Sequence, residues 1–384
     1  MSQEQKKKSF LSMDKIFKKK YVFEPLQPNN HLKKGEVIVS VKNLEVKFHL
    51  RKLTLTAIRN VSVDIYKNET LAIVGESGSG KSVFTKCLIG MLDENGFISE
   101  GSIDYSGVDL TTYKTNEAWL NVRGKRISTI FQDPMTSLNP LRRIGSQITE
   151  VIELHRGLDK EAAKEEAIKL LERVGILDAR TRFNDYPFQY SGGMRQRVVI
   201  AIALACQPDI LICDEPTTAL DVTIQSQILQ LINSLKEEYG FTVISITHDL
   251  GVVAEVADRV AVMYAGQFVE IGTVDDIYYD PRHPYTWALL SSLPQLGAKD
   301  EELFSIIGTP PSLFNKIEGD AFAQRSNVAM EIDFVKEPPM FKISDTHFAK
   351  TWLLDPRAPK VERPKIIGEI SNRVAEIYRE SVKK

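Results

Sequence analysis

Cysteine is scarce: it occurs three times in 384 residues, at Cys87, Cys206 and Cys213, each inside an apolar segment and none at a metal-ligand spacing. So few scattered thiols exclude a disulfide framework and predict buried small side chains in a reducing compartment. Long apolar runs are missing too. None approaches the ~20 residues that span a bilayer, and "VVIAIALAC" stops at Gln207-Pro208. No cleavable signal peptide precedes the fold, so the expectation is a cytoplasmic chain whose membrane role, if any, goes through partners. Charge of one sign is lacking as well. Forty-nine basic against 51 acidic residues leave a formal net charge of −2, so no global basic field argues for a nucleic-acid partner.

What is present is an ordinary globular composition, 43 % hydrophobic and 26 % charged, long enough for one large domain and an appendage. Residues 1–36 differ from the rest. "KKKSFLSMDKIFKKKY" spaces Phe10, Met13 and Phe17 on one helical face, which suits either a basic helix lying on an anionic membrane surface or a solvated tail. Regular structure begins at "EVIVSVKNLEVKF" and "VSVDIY", whose alternation predicts half-buried strands. "ETLAIVG", "DILICDEP" and "FTVISITHD" predict short buried strands, and "RVAVMYAGQFVEIG" a hairpin. From about 138 to 190 the period is helical, with Asp159 as an N-cap and Gly175 as a stop. Beyond 281 the chain is proline-rich and irregular, ending in a basic helix, "GEISNRVAEIYRESVKK". Strands alternating with helices predict a mostly parallel sheet with ligands at the carboxyl ends of its strands.

Three of those ends carry chemistry. "GESGSGKS" comprises Gly75, Glu76, Ser77, Gly78, Ser79, Gly80, Lys81 and Ser82, and fits G-x-x-x-x-G-K-[ST] directly after a predicted strand. Glycines let backbone N–H groups turn toward phosphate, Lys81 adds a mobile positive charge, and Ser82 offers a hydroxyl to Mg²⁺. A nucleoside triphosphate site follows. Asp214 ends the strand of "ILICDEP", where its carboxylate can reach Mg²⁺, and Glu215 follows it. Strand alternation would turn Glu215 away from Asp214, toward an attacking water. His248 ends the next strand and can orient water or sense phosphate, although a lone histidine is more often structural. Gln132, in "IFQDP", can ligate Mg²⁺ through its amide, and Phe48 can stack on adenine or simply belong to the core. "YSGGMRQR" holds Ser191, Gly192 and Gly193 at a second helix start, as if for another phosphate.

Taken in order, "GESGSGKS", "FQDP", "YSGGMRQR", "ILICDEPTTALD" and "THD" closely resemble the ABC-type ATPase family over residues 37–280. The resemblance implies an α/β P-loop fold with an antiparallel β subdomain and a helical subdomain at about 138–190. It implies roles for Lys81 and Ser82 in the phosphate loop and for Gln132 in the loop that couples to membrane subunits. Ser191, Gly192 and Gly193 become the signature, Asp214 and Glu215 the metal and catalytic acids, Asp221 a dimer contact, and His248 the switch histidine. Met194, where many members have glutamine, departs from the pattern with little expected effect.

The tail "DDIYYDPRHPYTWALLSSLP" with "IIGTPPSL" resembles the oligopeptide and dipeptide permease ATPases, which makes 281–384 an extension of that type. Those relatives often carry a cysteine pattern suggestive of an iron–sulfur cluster. Here Asp320, Ser326, Asp333 and, after His347, Thr351 stand in that frame, so no cluster is expected; Phe322, Met330 and Trp352 are expected to pack in its place. The resemblance implies an ATP- and Mg²⁺-dependent hydrolase at the cytoplasmic face of a membrane, driving peptide import. It implies a second ATPase chain clamped head to tail, usually a different polypeptide, two membrane-spanning permease subunits, and indirectly a peptide-binding protein. Alternatives are the same role for dipeptides, nickel or another solute, or a non-transport ABC ATPase. The last usually needs a coiled-coil insertion or tandem cassettes, which this chain lacks.

Overall fold

The computed structural model describes residues 32–132, 137–217, 221–248, 250–292, 306–364 and 367–368. The lysine-rich N-terminal pattern, and all but the first residue of the expected final helix, lie outside them. Strands β1 (Val37–Leu50) and β2 (Leu53–Tyr66) form an antiparallel pair around a turn at Arg51, whose φ is +57°. With β4 (Gly96–Tyr105) and β5 (Val108–Asp109) they make a four-stranded sheet in the order β2-β1-β4-β5.

The second sheet carries the site. It comprises β3 (Thr70–Val74), β6 (Ile127–Ile130), β7 (Ile210–Asp214), β8 (Thr242–Ile246), β9 (Arg259–Tyr264) and β10 (Gln267–Thr273), with β11 (Phe341–Lys342) and β12 (Phe348–Ala349) at one edge. The order is β11-β12-β10-β9-β3-β8-β7-β6. All pairs from β6 to β9 are parallel, and β9, β10, β12 and β11 pair antiparallel. Every residue of β3 and β8 is buried, which explains why both read as continuous apolar runs: a parallel sheet is covered on both faces. The proline-rich tail, expected to be irregular, therefore adds strands to the larger sheet. Each is two residues long, too short for periodicity to reveal.

Helix α1 (Lys81–Leu88) follows the phosphate loop. The expected helical region contains α2 (Ile144–Arg156) and α3 (Lys160–Arg173). Asp159 caps α3 by accepting the Ala162 N–H at 2.9 Å, and Gly175 takes φ +77° just beyond its end. Helix α4 (Gly192–Leu204) buries Val198, Val199, Ile200 and Ala201 against β6 and β7, so it is apolar nearly all round rather than amphipathic. Helix α5 (Val222–Tyr239) returns the chain to β8, and α6 (Pro284–Ser291) lies past the hairpin of β9 and β10. One core joins Ala72, Val74, Val260 and Val262 of the sheet to Tyr285, Leu290 and Phe322 of the extension.

In the cysteine frame of the tail, all four oxygen side chains cap local turns. Asp320 accepts the Phe322 N–H at 2.9 Å, Ser326 that of Val328 at 3.3 Å, Asp333 that of Met330 at 2.7 Å, and Thr351 that of Leu353 at 3.3 Å. Hard oxygens committed to backbone N–H groups do not fit the thiolate chemistry of an iron–sulfur cluster. Phe322 and Trp352 are buried as expected, but Met330 is only half-buried and begins a short helix. Among the cysteines, Cys87 and Cys213 are buried while Cys206 is only partly so. Burial pushes the first two thiols up to about 12 and Cys206 up to about 11, so all three are poor nucleophiles.

Candidate active site

The phosphate loop begins where β3 ends. Gly75 has φ +151°, and a Cβ there would lie 2.1 Å from the Met263 carbonyl oxygen. No other residue fits between β3 and β9. Gly80, at φ +109°, ends the loop against the Ala57 carbonyl and the Ile58 side chain, each 3.0 Å from where a Cβ would stand. Helix α1 then starts at Lys81, so its free N–H groups sit at the loop. The Lys81 ammonium donates to the carbonyls of Gly75 at 2.7 Å and Glu76 at 3.0 Å. Burial pulls its pKa down, against the opposing pull of Glu215, Asp214 and Glu76.

The acids come from neighbouring strands. Because β6, β7 and β8 run parallel, their carboxyl ends share one edge with the phosphate loop. Asp214 ends β7, and its Oδ1 accepts the Ser82 hydroxyl at 3.3 Å. Burial raises its pKa, opposed by that hydrogen bond. Glu215 is not a strand residue. Its φ of +47° turns the side chain back over the same edge, so a left-handed backbone, not strand alternation, sets its direction. Its Oε2 accepts the Gln132 amide at 3.0 Å, and its Oε1 lies 3.2 Å from His248 Nδ1. Gln132, Glu215 and His248 thus form a row across the ends of β6, β7 and β8, and His248 remains largely exposed.

These groups line one cleft of about 820 Å³. It includes Ser77, Gly78, Gly80, Lys81, Ser82, Gln132, Asp214, Glu215 and His248. Its far wall is apolar, built from Phe48, Leu50, Leu55 and Ala57 of β1 and β2 together with Leu313 of the extension. Phe48 is both core and wall: it is buried, and Gly96 opposite leaves its ring room, since a Cβ there would stand 2.6 Å from the ring. A cleft with cationic and N–H donors at one end and an apolar wall at the other suits an anion carrying a flat base. The Ser82 hydroxyl and Asp214 carboxylate are hard oxygen donors of the kind Mg²⁺ takes.

The remaining expected residues lie elsewhere. Gly75, Glu76 and Ser79 of the phosphate loop do not line the cleft. Ser79 is buried, and the Glu76 carboxylate turns to Arg325. Ser191 caps α4 by accepting the Met194 N–H at 3.3 Å, and Asp221 precedes α5. None of Ser191, Gly192, Gly193 and Asp221 lines this chain's own cleft. Sequence reasoning missed Leu50, Leu55, Ala57 and Leu313. The first three carried a signal, the alternation around Phe48; Leu313 lies in "IIGTPPSL", which carries no periodicity that points to a nucleotide.

Comparison with known proteins converges on this geometry. Residues 58–218 match the family described as ABC transporter, and residues 269–332 match the one described as Oligopeptide/dipeptide transporter, C-terminal region. The chain is 61 % identical over 344 residues to the oligopeptide transport ATP-binding protein AmiE of Streptococcus pneumoniae, covering 90 % of this chain and 97 % of the relative. It is 55 % identical over 347 residues to the oligopeptide transport ATP-binding protein OppD of Bacillus subtilis, with the same coverage. A dimeric structure of a post-hydrolysis state of the ATP-binding cassette MJ0796, bound to ADP and Pi, superposes with a TM-score of 0.55 at 28 % identity, over 62 % of this chain and 98 % of that one. With both family regions matched and such identity along most of its length, the chain belongs to the ATP-binding proteins of the oligopeptide and dipeptide ABC transporters.

Proposed function

We propose that this chain binds and hydrolyses ATP to drive oligopeptide import through a membrane complex. The observation that carries the reading is the convergence of Lys81, Ser82, Gln132, Asp214, Glu215 and His248 on one cleft, in a chain 61 % identical to an oligopeptide transport ATP-binding protein. No described helix is long and apolar enough to cross a membrane. In this reading two permease subunits span it, and this chain engages them at the cytoplasmic face. A peptide-binding protein acts on the far side. We assign residues 37–280 to the ATPase unit, with its helical part at about 138–190, residues 281–384 to the extension, and residues 1–36 to an N-terminal extension.

In this reading the adenine lies against Phe48 and its apolar neighbours. The triphosphate lies along the N–H groups of Ser77, Gly78 and Gly80 and the start of α1. Lys81 exchanges its two backbone carbonyls for phosphate oxygens. Mg²⁺, held by Ser82, Asp214 and the side-chain oxygen of Gln132, would neutralise phosphate charge. Glu215 accepts the proton of the water that attacks the γ-phosphorus as the bond to the β–γ bridging oxygen breaks, giving ADP and phosphate. Gln132 and His248 hold the carboxylate on that line by their hydrogen bonds. Ser191, Gly192 and Gly193 close over the γ-phosphate held by a second ATPase chain, and Asp221 meets that chain.

The test is uptake of labelled oligopeptide by cells carrying Lys81→Ala. Uptake is expected to fall to background while the two permease subunits still co-purify with the variant; normal uptake would end the importer assignment. Dipeptide cargo is the second reading, favoured by 57 % identity over 85 % of this chain to the dipeptide transport ATP-binding protein DppD of Lactococcus lactis. Competition between labelled dipeptides and longer peptides separates the two.

A further inference from the structure

Glu76 sits inside the phosphate loop yet contributes nothing to the cleft wall. Its carboxylate takes a two-point ion pair from Arg325, Nη1 to Oε2 at 2.8 Å and Nη2 to Oε1 at 3.0 Å. The other guanidinium N–H groups go to Tyr264 Oη at 3.0 Å and to the carbonyls of Ile307 at 3.0 Å and Ile306 at 3.4 Å. All five donors of Arg325 are used, and its side chain is 5 % exposed. The rings of Tyr264 and Phe322 flank the guanidinium at 5.7 and 5.8 Å. The Glu76 backbone is held separately: its N–H donates to the hydroxyl of buried Tyr285 at 2.8 Å.

The same stretch of chain reaches the nucleotide cleft. The Leu313 carbonyl accepts the Thr56 N–H at 3.1 Å, and Leu313 lines the cleft. Pro310, Pro311 and Leu313 also bound a small hollow whose other side is Glu76 to Ser79. The loop contains three glycines, Gly75, Gly78 and Gly80. Glycine loses more freedom on ordering than any other residue, so fixing such a loop in its binding shape is costly unless something outside holds it. A bidentate guanidinium–carboxylate pair supplies both strength and direction.

We propose that the C-terminal extension is part of the nucleotide site, with Arg325 as a positioning residue that holds the phosphate loop in its binding shape through Glu76. The proposal rests on the reading of the cleft as an ATP site and adds that ATP affinity depends on residues beyond 281. Pre-organisation of this kind appears in binding, because an unclamped loop must be ordered by the ligand.

The experiment titrates the full chain with a fluorescent ATP analogue and records its melting temperature in parallel. Arg325→Ala is expected to weaken binding by roughly tenfold, about 1.4 kcal/mol, and Arg325→Lys by less, since it keeps the charge but loses the fork. Glu76→Gln should weaken binding too. The Glu76→Gln/Arg325→Ala double variant should lose no more than Arg325→Ala alone, because both changes break one interaction. Should Arg325→Ala fail to fold, Glu76→Gln and Tyr285→Phe decide the matter, each removing one grip on Glu76 while keeping its shape. Unchanged affinity in both, or a lowered melting temperature with parental affinity, would make the clamp merely structural and overturn the proposal. If the parent chain itself fails to bind the analogue, the reading of the cleft falls, and the clamp with it.

Discussion

Glu215 shows what a single residue can hide. Its neighbours "ILICD" are a readable strand, and alternation alone turns Glu215 away from Asp214. The backbone instead enters the left-handed region at φ +47°, which is sterically unfavourable for a residue with a Cβ and side chain. Its N–H bond to the Ile246 carbonyl at 3.0 Å and its contacts to Gln132 and His248 fix it there. Glu215→Gln keeps the shape but removes the carboxylate proposed as the base. Hydrolysis should slow by ~10²–10⁴-fold with nucleotide affinity retained, measured as phosphate release beside an equilibrium titration. Turnover near the parental rate would remove Glu215 from the chemistry.

At the scale of elements, the start of α6 couples to the turn that holds Asp320. His283 caps the helix, its Nδ1 accepting the Tyr285 N–H at 3.0 Å, so the ring proton lies on Nε2, 3.7 Å from Asp320. Burial pushes His283 down to about 4, with Glu270 pulling it up and Lys350 down. Burial pushes Asp320 up to about 6, with Lys350 and Arg59 pulling it down and Glu337 up. The signs oppose. Between its folded value and 6.5 the unfolded histidine holds the extra proton, so its contribution to stability is present above 6.5 and lost as pH falls toward 4. Between 3.8 and 6 the folded aspartate holds the extra proton, so its contribution is lost as pH rises through 6. In the parent the two slopes largely cancel. Asp320→Asn leaves the histidine slope unopposed, so its melting temperature should climb more steeply than the parent's between pH 4.5 and 6.5. Parallel melting curves for the two proteins would contradict this account.

At the scale of the whole molecule, Ser191 to Gly193 stand at a well-formed helix start that does not line this chain's own cleft. That position accords with the proposal that they close over a phosphate held by a second ATPase chain. Ser191→Arg should leave ATP binding by the isolated chain unchanged and impair hydrolysis at the partner's loop once the two ATPase chains are assembled. Photolabelling with an azido-ATP after trapping with vanadate reads which loop stays active. Damage confined to this chain's own loop would refute the trans arrangement. The extension belongs to this scale as well, because its Arg325 and Leu313 reach the phosphate loop and cleft from far along the sequence.

Local chemistry was legible without a fold. Gly75 to Ser82, Asp214, Asp159 as a cap and the buried runs of β3, β7 and β8 follow from steric freedom, charge and period, all of which act within a few residues. Long-range chemistry was not. That Gln132, Glu215 and His248 meet depends on β6, β7 and β8 being adjacent and parallel, and strand order leaves no local trace. Arg325 is an unremarkable arginine in an irregular tail until Tyr264 and Phe322 flank it and Glu76 receives it. The four capping oxygens of the tail were visible as missing cysteines, but their use as turn caps was not. The sequence by itself determined which groups can bind phosphate and move a proton. Only the tertiary structure decided which of them share a cleft, because contacts between distant segments depend on strand order and packing rather than on neighbours along the chain.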